Sequence, residues 1–338
     1  MTNARSWMRF LRNRLQVIPY LIRRLLGSGL TIFVGITLTF VIVHLAPGDP
    51  SVRFIDPSQT LASQQIIQKR FGLDEPLHVR YLKWIKQVIC HFDFGTSFYY
   101  DRSTGDMLAS ALYPTILLAI SALILALALG ILLGVFVALR RNSLFDRLLT
   151  AIMMIFYSTP TFWIGVLFLG FFASALGWFP TSQMVSLYHY KLSCLSRFID
   201  LAHHLFLPVL TLGLPLAAVF YRYVRSGMIE ALQSEYILAA RARGIDQRRI
   251  LFQYGLQNSM LPIINLLGMI IPGLLSGAVM VEVVFSLPGM GRLMVNAVFG
   301  RDYPLIMAAN VLAFIMVVTG NLLADMFCYL TDPRIRYK

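Results

Sequence analysis

The sequence predicts an all-helical protein that crosses a membrane six times, and three features carry that expectation. Hydrophobic residues make up 57% of the 338 and charged residues only 13%, with a mean hydropathy of +0.69. The wetted surface of a soluble protein this size needs about twice that charged fraction. Uncharged runs cover Gly29 to Val43, Ala111 to Leu139, Leu148 to Tyr190, Ile250 to Val281 and Tyr303 to Ala324. Several exceed the ~20 residues that a helix needs to cross ~30 Å of hydrocarbon. The basic residues, finally, crowd into alternate connecting segments.

The first span is placed at 27–46. It runs on into polar sequence without a small-residue cleavage site, so it reads as a retained span and not as a removed signal peptide. Before it, in segment 1–26, Arg5, Arg9, Arg12 and Arg14 interleave with Trp7, Phe10 and Leu11. That pattern suits either an amphipathic helix lying on the membrane or a basic tail. After it comes a long loop, 47–110, in which Ile66, Ile67, Phe71, Leu82, Trp84, Ile85, Val88 and Ile89 recur at helical spacing. Surface-lying helices are expected there, as caps on the bundle or as a docking face.

Spans two and three are placed at 111–139 and 149–176, the third ended by Gly177-Trp-Phe-Pro180; the remaining spans fall at 204–224, 260–282 and 304–330. Pro160, Pro208, Pro215 and Pro272 lie inside them and are expected to bend their helices. Gly130-x-x-x-Gly134 and Gly273-x-x-x-Gly277 each place two small residues on one face, where backbones can approach closely, within the chain or against a second one. Segment 1–26 apart, the chain is read as one transmembrane domain, 27–338.

Lys and Arg near span ends are retained in the cytoplasm. With the N-terminus inside, the inner segments 1–26, 140–148, 222–259 and 331–338 hold 18 Lys and Arg against 5 acids, and the outer segments 11 against 9. Both termini are therefore expected inside. The same asymmetry accounts for a pI near 9.9 without nucleic acid, through contact with anionic headgroups. Cys90, Cys194 and Cys328 form neither a disulfide framework nor a metal site and are expected as separate buried thiols. Cys90 and Cys194 do fall on the same outer side, where an oxidising compartment permits a bridge.

Several function classes are excluded by what is missing. No lysine follows a glycine as a phosphate-cradling P-loop requires, no histidine opens a His-Glu-x-x-His helix, and no serine sits in a Gly-x-Ser-x-Gly elbow. The neighbouring His203 and His204 point ~100° apart on a helix and are read as interfacial anchors, not metal ligands. An ion-coupled carrier usually places several ionisable groups in the membrane interior. Here only Glu282 and Asp325 lie in or at the ends of spans. This is the body of a channel or transporter whose motor lies elsewhere.

Such a motor would grip the longest inner segment, 222–259. Ser234 to Ala242 reads as a helix whose Ala239, Ala240 and Ala242 make a thin surface, with Arg241 and Arg243 suiting its C-terminal end. Gly244 fits the left-handed position that closes a helix, and Asp246 caps a second one, Gln247 to Gln257, carrying Arg248. By itself this is a helical corner between two spans.

The stretch Glu235 to Pro262 resembles the permease signature of binding-protein-dependent ABC importers. Other strings are similar to the dipeptide, oligopeptide and nickel subfamily: His44-Leu-Ala-Pro-Gly-Asp-Pro50, Phe71-Gly-Leu-Asp-Glu-Pro76, Asp93-Phe-Gly-Thr-Ser97, Ser158-Thr-Pro-Thr-Phe-Trp163, Leu207-Pro-Val-Leu-Thr-Leu212, Val281-Glu-Val-Val-Phe-Ser-Leu-Pro-Gly-Met-Gly291, Arg301-Asp-Tyr-Pro304 and Asp332-Pro-Arg-Ile335. Leu238 stands where the general motif has glutamate, and Leu261-Pro262 arrives five residues late, as in that subfamily.

The resemblance implies a type I importer permease fold in a bacterial inner membrane. It further implies two ATP-binding cassette subunits that hold ATP and magnesium, a second permease, an extracytoplasmic solute-binding protein, and no cofactor on this chain. Glu235, Ala239, Ala240, Arg243, Gly244, Asp246 and Arg248 become the ATPase-coupling residues. Pro160, Phe162, Glu282 and Phe285 become candidates for the pathway or its gate, with Glu282 alternatively paired to Arg292 or Arg301. The implied cargo is a peptide; nickel or another metal chelate, glutathione and an opine are alternatives on the same fold. A lone ion-coupled carrier or a membrane enzyme is the alternative of a different class.

Overall fold

The computed structural model describes Arg24 and residues 26–45, 75–275 and 278–331. The basic segment before Arg24, residues 46–74, Gly277 and the string from Asp332 lie outside the described residues, as do the expectations placed on them. Among the described residues the regular elements are helices, joined by one isolated bridge between Thr96 and Ser103. They are α1 (Leu26–Leu45), α2 (Leu77–His91), α3 (Thr104–Leu139), α4 (Leu144–Ser158), α5 (Thr161–Phe168, continued as a π-helix over Leu169–Ala175) and α6 (Cys194–Leu232). After them come α7 (Glu235–Ala242), α8 (a helical run from Gln247–Arg249 through a π-turn at Ile250–Leu256 to Gln257–Ser259), α9 (Leu261–Leu275), α10 (Val279–Val284), α11 (Met290–Gly300) and α12 (Tyr303–Thr331).

Four helices are long and apolar enough to cross a membrane: α1, α3, α6 and the Tyr303–Leu323 part of α12. The third expected span is instead a broken pair, α4 and α5, bent by 105°. The cause is Pro160. A residue before proline is driven out of the helical region, and Thr159 is extended at φ −86°, ψ 131°. The Pro160 carbonyl then accepts from the Trp163 and Ile164 amides and starts α5. Pro208, Pro215 and Pro272 stay within continuous helices. The fifth expected span is divided as well, because the 15 residues of α9 reach only about 22 Å before the chain restarts as α10.

The chain forms two compact units, Met1–Gly105 with Ala297–Leu322 and Asp106–Asn296 with Leu323–Lys338. In the first unit, Trp84 and Val88 lie one turn apart on α2 and bury against Phe40 of α1 and Met307 and Val311 of α12. The hydroxyls of Thr37 and Tyr81 meet at 2.6 Å. Asp302, fully buried, gathers the loop after α2: it accepts from the Ser97 hydroxyl and from the amides of Phe98 and Tyr99.

The second unit is organised by α3 and α6. Ala122, Ala126, Gly130 and Gly134 repeat every fourth residue on α3 and face Gly213, Ala217, Phe220, Tyr221 and Val224 on α6. A Cβ added to Gly130 would stand 2.5 Å from the Phe220 Cβ, and one on Gly134 would stand 2.8 Å from that of Val224. The Gly130-x-x-x-Gly134 face is thus used within the chain. On the far side of α6, Arg225 grips Asp146 of α4 with two bonds of 2.8 Å, and the Thr150 and Tyr221 hydroxyls meet at 2.7 Å.

Two predictions of opposite sign follow from this packing. Gly130→Ala should lower the unfolding midpoint in detergent by an amount equivalent to about 1–3 kcal/mol of overpacking. Gly273→Ala, whose added Cβ meets nothing within 4 Å, should leave it unchanged or slightly raised. Thermal unfolding of the two variants beside the parent checks both.

Candidate functional site

The expected coupling corner forms as a tight helical hairpin. Ser234 leads into α7, which stops at Arg243 because Gly244 takes φ +73°, a value open to glycine at little cost. The Gly244 amide donates to the Arg241 carbonyl at 2.9 Å and the Ile245 amide to that of Ala240 at 3.2 Å, the paired bonds of a Schellman stop. Asp246 then accepts from the Arg248 amide at 3.0 Å and opens α8. Ile237, Ala240 and Ile250 close the hairpin with a small apolar core to which Leu232, Ile245 and Tyr254 add.

This packing sorts the expected site residues. Ala240 is turned inward and buried, whereas Glu235, Ala239, Arg243, Gly244, Asp246 and Arg248 are exposed. The thin outer surface is therefore built by Ala239 and Ala242, with Leu238 standing out at 59% exposure in the place of the missing glutamate. The hairpin is also fixed to the end of α6. A Cβ on Gly227 would meet the Ser259 Cβ at 2.9 Å, and one on Gly255 would meet Met228 Cε at 3.2 Å. The corner is thus packed directly against a helix of 39 residues, about 58 Å long.

The pathway candidates divide into two pairs. Pro160 and Phe162 are exposed on this chain, at the bend between α4 and α5. Glu282 and Phe285 are buried, and Phe285 packs in the cluster with Leu118, Leu207 and Leu287. Glu282 receives the Thr115 hydroxyl at 2.6 Å and the Arg292 backbone amide at 3.1 Å, while Thr115 accepts from the Met290 amide at 2.9 Å. The expected charge pair with Arg292 is replaced by this amide contact, since the Arg292 guanidinium turns to the Ser286 carbonyl. Gly289 and Gly291 leave the room: a Cβ at 289 would overlap the Glu282 carboxyl, and one at 291 would lie 2.7 Å from the Val279 Cα. Here a carboxylate folds the Ser286–Gly291 turn back onto α3 and α10.

Other anchors escaped the sequence reading. Ser97 and Asp302 belong to two recognised strings 205 residues apart, and no spacing rule links them. Asp146 and Arg225 likewise sit in separate segments. His203 donates Nε2–H to the Trp178 carbonyl at 2.8 Å, and Asp200 collects His189 at 2.7 Å. Cys90 and Cys194 are separate thiols, but exposed and not buried as expected. Among the described residues no group of three or more His, Cys, Asp or Glu is placed to hold a metal ion.

Several apolar helices long enough to span a membrane, one further span broken at Pro160, and an exposed helical hairpin after α6 define a polytopic membrane protein. The chain matches the family described as "Binding-protein-dependent transport system inner membrane component" over residues 130–337, and its N-terminal counterpart over 17–106. It belongs to that family, and it is a multi-pass inner-membrane protein. Among curated relatives it is 40% identical to the oligopeptide transport system permease protein AppB of Bacillus subtilis (strain 168), over 94% of this chain and 99% of that one. It is 35% identical to the glutathione transport system permease protein GsiC of Salmonella paratyphi A, over 95% and 100%. A solved inward-facing conformation of the MetNI methionine ABC transporter shares the fold, with a TM-score of 0.53, 18% identity, and coverage of 67% of this chain and 96% of that one.

The clasp on Glu282 yields a third prediction. Thr115→Val removes both the donor to the carboxylate and the acceptor for Met290, which should destabilise the protein by about 1–3 kcal/mol, whereas Thr115→Ser should retain most of the stability. Unfolding in detergent distinguishes a hydrogen-bonding role, in which Val is harmful and Ser is not, from a packing role, in which the isosteric Val is tolerated and Ser, which loses the methyl, is harmful.

Proposed function

We propose that this chain is one of two permeases forming the inner-membrane pathway of an ATP-driven importer for peptides, delivered from outside by a solute-binding protein. The observation that carries the reading is the exposed hairpin at Gly244, fastened to the end of the longest helix. A separate ATPase subunit takes that corner in a groove. When two such subunits close on ATP, each carries its corner inward, and α6 passes the displacement to α3 and α4. Release after hydrolysis returns the bundle to its starting state, since ATP and cargo favour different states of one two-state body. The corner residues make contact in this cycle and Pro160 and Phe162 face the cargo, while Glu282 and Phe285 hold the wall that supports them. The named activities of the AppB and GsiC relatives support peptides, including short ones, as the cargo class.

Gly244 supplies the test of coupling. Its φ of +73° is strained for a β-branched residue, by about 1–3 kcal/mol, but tolerable for asparagine. Gly244→Val should assemble with its ATPase subunits yet lose cargo-stimulated ATP hydrolysis, and Gly244→Asn should keep most of it. Undiminished stimulation in Gly244→Val would remove the corner from the mechanism. Orientation is tested by the two exposed thiols: a membrane-impermeant maleimide should label Cys90 and Cys194 from the outer side of intact spheroplasts. Labelling confined to inverted vesicles would reverse the topology.

A further inference from the structure

Arg222 and Arg225 leave α6 one turn apart and find different surroundings. Arg225 is neutralised by Asp146. Arg222 has no carboxylate within ion-pair distance among the described residues, and its guanidinium lies 5.9 Å from the ring of Tyr157 and 5.8 Å from that of Tyr223. Rings at that distance steady a guanidinium without cancelling its charge. Beside it opens a cavity of about 240 Å³ between α4, α6 and α9, walled by side chains that include Met154 and Leu266. Two of the hydroxyls lining it are already satisfied, because Thr150 and Tyr221 bond each other. Filling the cavity with hydrocarbon therefore strands neither of these hydroxyls.

The combination of a free cation at the rim, flanking tyrosines and an apolar interior matches one kind of ligand, an anion carried on a hydrocarbon chain. Its depth agrees, for Arg222 falls in the last turn of the expected span at 204–224, the level at which tyrosines and arginines meet headgroups. We propose that this cavity holds an anionic phospholipid, with its phosphodiester on Arg222 and the upper part of one acyl chain against Met154 and Leu266. A lipid there touches three helices close to the root of the coupling hairpin. Its assignment to the inner leaflet rests on the orientation proposed above, but its binding does not.

Native mass spectrometry of the complex, purified with its co-expressed subunits in a mild non-ionic detergent and titrated with phosphatidylglycerol or phosphatidylcholine, tests the site. The parent should bind phosphatidylglycerol at least tenfold more tightly than phosphatidylcholine. Arg222→Gln should erase that preference and Arg222→Lys should keep part of it. Met154→Trp, at a position 60% exposed, should block the cavity with the charge still present, so the test survives if Arg222→Gln fails to assemble. Equal binding of the two lipids by the parent, or a preference untouched by both Arg222→Gln and Met154→Trp, would overturn the proposal. So would displacement of phosphatidylglycerol by a short peptide through Arg222, which would make the cavity part of the cargo route. The readout is lipid retention, not transport, so a failure here leaves the importer reading standing, and a failure of coupling at Gly244 leaves this one standing.

Discussion

The larger unit depends on how closely α3 and α6 approach. Inside a bilayer an apolar side chain gains little by exchanging lipid for protein, so helices associate through close van der Waals contact, and contact improves as side chains shrink. Ala122, Ala126, Gly130 and Gly134 on one helix and Gly213 and Ala217 on the other bring the backbones near enough that an added Cβ has no room at several of these positions. Bulk is then supplied only where it fills space, by Phe220, Tyr221 and Val224. Because α6 is held along this seam, its far end is fixed where the hairpin packs against it.

Buried carboxylates complete the structure by tying distant segments where packing alone would leave them loose. Asp302 gathers the loop after α2 in the first unit. In the second, Asp146 takes a guanidinium, and Glu282 takes a hydroxyl and a backbone amide. Each is strongly buried, so every donor it accepts is held against a large desolvation penalty, and such a contact is costly to break. This gives the glycines of the Ser286–Gly291 turn a physical explanation: they are absences of a side chain that allow a carboxylate to lie beside backbone.

Much of the fold was legible in the sequence because it follows from local rules. Lipid forces the backbone to satisfy itself, so long uncharged runs become helices. Gly244 and Asp246 read as the end of one helix and the cap of the next, and so they prove, because both motifs close within five residues. The same locality explains the bend at Pro160. Less legible were the exact lengths. Spans placed at 111–139 and 204–224 extend to Thr104–Leu139 and Cys194–Leu232, since polar residues continue a helix after it leaves the hydrocarbon. The fifth span divides between α9 and α10, and its uncharged composition gave no hint of that.

By itself, then, the sequence determined a helical, membrane-spanning protein and the helical corner at Gly244, both of which rest on composition or on contacts a few residues apart. Only the tertiary structure decided that Gly130 and Gly134 face α6 of the same chain, that Ala240 points inward while Ala239 points out, that Glu282 binds an amide and not a guanidinium, and that Asp302 meets Ser97. Each of those is a choice among partners far away in the chain. A residue's type states what bond it needs, but which group supplies that bond is settled only when the helices have packed.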